Sequence, residues 1–79
     1  MIKVLFFGPV AERIGKNILQ TEHQSDMQLQ DLRANLAQAY PAAFDIVCFA
    51  AVNGEHVRDM SLPLVDGSEV AFMARFSGG

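Results

Sequence analysis

The residues able to do chemistry in this sequence are few, and most stand alone. His23 and His56 have no second ligand at metal-binding spacing, so no metal site is expected and both read as ordinary surface residues. Glu12, Asp31, Asp45 and Asp59 are isolated acids on predicted helix and loop surfaces. No paired carboxylates stand out for acid–base work. A glycine-rich phosphate loop is missing, so the chain cannot activate a nucleotide by that route. Cys48 lies inside the apolar run Val47-Cys48-Phe49-Ala50-Ala51-Val52, with no base or cation nearby in sequence. A thiol in that setting is expected to be buried and inert.

The last four residues, Phe76-Ser77-Gly78-Gly79, are different. Two closing glycines occur by chance in roughly one protein in 200, so the pair alone says little. It gains weight by following directly on a predicted strand. The chain opens on Met1 and is expected to be complete, so Gly79 is expected to carry a free carboxylate. Four extended residues reach at most about 14 Å. Glycine has no side chain, so Gly78 and Gly79 can thread a narrow channel and adopt angles closed to other residues. The Gly79 carboxylate is then unhindered, which suits acyl activation. Because a carboxylate is a poor electrophile, a partner would first have to phosphorylate or adenylate it.

The elements that must present this tail follow from local pattern. Residues 2–7 are β-branched and aromatic and read as a first strand, central and covered at least in part on both faces. Gly8-Pro9 starts a short helix that Gly15 ends, and 18–22 returns as an antiparallel second strand. Leu29, Leu32, Leu36 and Ala39 or Tyr40 mark a longer helix, capped by Ser25 or Asp26, with Gln28 completing a box on Ser25. Pro41 ends it. The apolar run at 47–52 reads as a buried strand, Asn53-Gly54 as a tight hairpin turn and His56-Val57 as a short strand. An irregular stretch around Pro63 follows, then a turn at Asp66-Gly67 and a last strand over 69–75. The fold class is α+β: a mixed sheet of about five strands with one main and one short helix, in the order of a ubiquitin-like β-grasp domain. Residues 1–75 form that domain, and 76–79 form a flexible tail.

Bulk properties narrow the class further. The 79 residues leave room for one domain with a modest core, yet 51% are hydrophobic. An apolar patch left on the surface would be a docking site. Net charge is −3, and the six Lys and Arg residues are scattered singly, so nucleic acid is not an expected partner. The first apolar run is too short to span a membrane, and it lacks the features of a signal peptide. One cysteine excludes an internal disulfide, which suits a reducing, cytoplasmic setting.

Several short strings then point one way. Ile2-Lys3-Val4-Leu5-Phe6-Phe7, Glu12, Gly15, Ala51-Val52-Asn53-Gly54-Glu55, Leu62-Pro63-Leu64, Asp66-Gly67-Ser68-Glu69-Val70-Ala71-Phe72 and Ser77-Gly78-Gly79 resemble the small subunit of molybdopterin synthase, the MoaD family. The resemblance spans the whole chain. It implies that an activating enzyme of the ubiquitin-activating type adenylates Gly79 with ATP, and that a sulfur donor then converts it to a thiocarboxylate. No cofactor is expected on the carrier itself; ATP is used by the activating partner. The charged tail would enter the large synthase subunit, in a heterotetramer of two small and two large subunits, and give its sulfur to a cyclic pterin precursor. The catalytic pocket is expected on the large subunit.

Gly79 is thus the expected reacting residue, with Gly78, Ser77, Phe76, Arg75, Met73 and Phe7 as partner contacts. Alternation puts Phe72 and Met73 on opposite faces, so Phe72 is expected under the helix and Met73 toward the partner. Ala74-Arg75-Phe76 stands where the family usually has two prolines and a small β-branched residue, which implies a more flexible exit. Three other readings remain: a carrier for another pathway, a ubiquitin-like protein modifier and a non-catalytic interaction domain. The helix at 9–14 argues against the thiamine type of carrier, which usually runs straight from first strand to second.

Overall fold

The computed structural model, which describes residues 1–75, begins with strand β1 (Ile2–Phe6), helix α1 (Gly8–Ile14) and strand β2 (Ile18–Thr21). Helix α2 (Leu29–Ala39), a single turn α3 (Pro41–Phe44) and strands β3 (Val47–Val52), β4 (Glu55–Val57) and β5 (Glu69–Ala74) complete it. The expected tail, 76–79, lies outside the described residues. The five strands form one sheet in the order β2-β1-β5-β3-β4, with β1 and β5 parallel and the other pairs antiparallel. This is the mixed sheet of a ubiquitin-like β-grasp fold.

One face of the sheet meets the helices. Ile2, Val4 and Phe6 of β1, Val70 and Phe72 of β5 and Ala50 of β3 close on Val10 of α1 and on Leu29, Leu32 and Leu36 of α2, all of them buried. The i, i+3, i+7 spacing of the three leucines gives α2 its apolar stripe. α3, a helical turn not expected from the sequence, adds Phe44 to this core. Its ring lies edge-on to Phe72 at 5.1 Å and to Phe6 at 6.5 Å. Pro41 therefore both stops α2 and starts the next turn, because a proline at a first helical position loses no needed donor.

Glycine and asparagine set the turns. Gly15 ends α1 at φ 88°, and Asn53-Gly54 joins β3 to β4 with φ 51° and 85°, the paired positive values of a type I′ turn. Asn53 also ties the hairpin to β5: its N–H donates to the Glu69 carbonyl at 2.7 Å, and its Oδ1 accepts from the Glu69 N–H at 2.9 Å.

Two expectations need correction, and one is sharpened: the outer face of β1 is covered only in part, with Lys3 exposed and Leu5 half-buried, because the helices pack on one side only. α2 is not capped by Ser25 or Asp26. Asp26 sits in a turn at φ 62°, and the cap is Gln28, whose N–H donates to Asp31 Oδ2 at 2.9 Å. The N–H groups of Leu29 and Gln30 donate to the carbonyls of Leu62 and Met60, a loop distant in sequence. Finally, β3 is not buried throughout, since Cys48 and Phe49 are exposed. Cys48 falls at a register irregularity between Val47 and Phe49, so it has no partner across the ladder to β5.

Candidate functional site

β5 is the middle strand of the sheet, between β1 and β3, and it delivers the chain to Ala74 and then to exposed Arg75. Phe76, Ser77, Gly78 and Gly79 lie outside the described residues, so the structure positions the strand leading to them. What surrounds that exit is the sheet face turned away from the helices.

Strand registers place the side chains of this outer face in rows. Ile18, Leu5, Ala71, Ala51 and His56 are successive cross-strand partners from β2 to β4. A second row, nearer the tail, contains Met73 and its partner Phe49. Phe7 joins this end of the sheet. It follows Phe6, the partner of Phe72, in an extended conformation (φ −128°, ψ 150°), so alternation turns its ring outward. Leu5, Phe7 and Ile18 border one shallow depression.

Exposure separates this face from the rest. Phe7, Ile18 and Phe49 are 48%, 53% and 42% exposed, and with Met1 and Val65 they are the exposed large apolar side chains among the described residues. Three of those five therefore share one face, with half-buried Leu5, Ala71 and Met73 between them. His56 closes the β4 edge, its ring edge-on to Phe49 at 6.2 Å. Charge is sparse here: Lys3 pairs with Glu69 at 3.8 Å at the end remote from the tail, and Arg75 stands at the exit.

Phe72 is fully buried under the helices and Met73 is half-buried on the outer face, as strand alternation implied. Phe7 and Met73 thus gather at one end of this surface, and exposed Arg75 follows directly on β5. The sequence reading missed Leu5, Ile18 and Phe49, which complete it. The signal was available in the fold class, because helices packed on one side of a sheet leave alternate strand residues uncovered.

The remaining candidates fall elsewhere. His23 is half-buried, not on the surface, and its Nε2 donates to the Leu64 carbonyl at 2.7 Å, so it pins a loop. Glu12, Asp31, Asp45 and Asp59 are exposed. Hydrogen bonds from the Ser61 hydroxyl and N–H hold the Asp59 carboxyl below its usual range. Asp66 is held lower by a hydrogen bond from the N-terminal ammonium and by that group's charge. Among the described residues, no group of three or more His, Cys, Asp or Glu side chains could hold a metal ion, and no helix is long and apolar enough to cross a membrane. This arrangement can present the chain end that follows β5 beside an apolar face onto which another surface can close.

A family model described as the ThiS family matches residues 4–79. The molybdopterin synthase sulfur carrier subunit of Chlamydomonas reinhardtii is 37% identical over 81 residues, covering 99% of this chain and 98% of that protein. Among solved structures, SAMP1 from Haloferax volcanii superposes with a TM-score of 0.83 at 21% identity, covering 99% of this chain and 98% of that one. A chain in the protein–protein complex of subunits 1 and 2 of molybdopterin-converting factor from Helicobacter pylori 26695 gives 0.62 at 26% identity, covering 99% and 97%.

Proposed function

The chain belongs to the ThiS family, and from that premise we propose that it is the sulfur carrier subunit of a molybdopterin synthase. The observation that carries this reading is the near full-length similarity to the Chlamydomonas protein of that name, at 37% identity. The family match runs to residue 79, so it includes the glycine pair.

In this reading the reacting group is the Gly79 carboxylate. One of its oxygens attacks the α-phosphorus of ATP on a separate activating enzyme, releasing pyrophosphate. A sulfur donor then displaces AMP from the acyl carbon and leaves a thiocarboxylate. The carrier docks through its outer sheet face on a large subunit, and the tail passes into that subunit's pocket to deliver sulfur to a cyclic pterin precursor. The Helicobacter complex of subunits 1 and 2 supports a partner of that kind. Docking makes the transfer effectively intramolecular, which lowers the entropic part of its barrier. Met73, Phe7 and Arg75 contact the partner beside the tail, and Phe76, Ser77 and Gly78 follow Gly79 into the pocket. No metal or bound cofactor is needed on the carrier, and the complex holds two copies of each subunit.

Intact mass spectrometry tests this directly. After co-production with the activating and sulfurating enzymes, the protein should carry one sulfur in place of one oxygen, located at Gly79 by fragmentation. Removing Gly79 should abolish sulfur transfer without changing thermal stability. A chain that stays a free acid under those conditions overturns the carrier reading. Gly79-dependent conjugates to other proteins would instead establish a protein modifier.

A further inference from the structure

β4 covers only half of β3. It pairs with Ala50, Ala51 and Val52, so Val47 and Phe49 pair with β5 on one side, and Val47, Cys48 and Phe49 have no strand on the other among the described residues. Beside this free edge lies a groove of about 600 Å³ whose walls include Met60, Val57 and Phe72. Two arginines also line it, Arg33 from α2 and Arg58 just past β4, and no acidic side chain does among the described residues. Arg33 is braced over the Phe44 ring at 5.7 Å. Neither arginine forms an ion pair among the described residues, and the adjacent Asp59 carboxylate is engaged by Ser61.

We propose that this groove takes an extended acidic segment of a partner protein as an added strand on β3. An open strand edge supplies backbone N–H and C=O groups in register for a new strand, and a neighbouring groove supplies side-chain selectivity. Charge decides the occupant. The chain carries a net charge of −3, yet the walls of this groove bear only cations and neutral groups. Edge-to-edge pairing with a second copy would bring Arg33 and Arg58 against their own equivalents, and the irregularity at Cys48 further discourages it. An acidic strand gains charge-assisted hydrogen bonds from both arginines while placing alternate apolar side chains on the groove floor. This edge shares Phe49 with the outer face, but its occupation does not depend on sulfur chemistry.

The probe is an acetylated, amidated seven-residue peptide alternating valine with aspartate, titrated into the isotope-labelled full chain and followed by amide NMR shifts. Saturable shifts should centre on Val47, Cys48 and Phe49. Affinity should fall about tenfold in Arg58→Ala and again at about 0.5 M salt, since each removes a charge-assisted contact or screens it. Arg33→Gln, which retains polarity, provides a second variant should loss of the Phe44 contact disturb folding elsewhere. No saturable shift at 47–49 would overturn the proposal. So would equal binding of the same peptide with lysine for aspartate, or unchanged affinity in both arginine variants.

Discussion

Adjacent residues of β5 have opposite tasks. Phe72 is fully buried against Phe44, and Phe72→Ala should cost about 3–5 kcal/mol through lost burial and the cavity left behind. Met73 faces away from that core, so Met73→Asp should cost only about 1 kcal/mol, from its partial burial and the poor strand propensity of aspartate, while weakening association with the proposed large subunit. Chemical denaturation and calorimetric titration separate the two. A large stability loss in Met73→Asp would remove Met73 from the docking face. The alternation that assigns these residues was legible in the sequence. It was not legible for Cys48 and Phe49: a run of six apolar residues reads as buried on both sides, and nothing local reveals that β4 stops short or that the ladder slips at Cys48.

The hairpin linking β3 to β4 was readable because its signal is wholly local. Gly54 holds φ 85° with open space where a Cβ would lie, so Gly54→Ala meets no steric neighbour and costs only backbone strain. That strain is about 1–2 kcal/mol and should appear as a lower denaturation midpoint with an unchanged slope. The start of α2 shows the opposite case. Its first N–H groups are satisfied by the carbonyls of Met60 and Leu62, roughly thirty residues on in the chain, and so Ser25 and Asp26 looked like better caps than they are. α3 was hidden for a related reason. Pro41 is a good stop signal for α2, and the turn after it is held by Phe44 reaching Phe6 and Phe72, contacts known only once the sheet exists.

Across the whole molecule, the element order and the sheet it builds were recoverable from periodicity and turn residues, whereas the composition of the outer face required the registers. The closure of the N-terminus belongs to this scale too. Met1 pairs its ammonium with Asp66, and its carbonyl accepts from the Gly67 N–H at 3.0 Å, so the start of β1 is fastened to the turn that precedes β5. Because Asp66 has a lowered pKa in the folded state, its contribution is present above the unfolded carboxyl value, near 3.8, and is lost as pH falls through the folded value. Thermal melts of the parent and Asp66→Asn should therefore differ at pH 7 and converge once the pH has fallen through the lowered folded value of Asp66. A difference that persists in acid would mean that Asp66 acts through something other than its charge.

β1 and β5 run parallel side by side, paired from Lys3 with Glu69 to Phe6 with Phe72. The tail leaves from the end of β5 opposite Met1. A force directed along β5 would load the ladder lengthwise, so that its hydrogen bonds resist together in shear rather than parting one at a time. β3 braces β5 from its other side over Val47 to Val52. In the proposed carrier, a reacting end drawn into another protein and withdrawn again would thus be anchored on the strand that has a neighbour on both sides at the centre of the sheet.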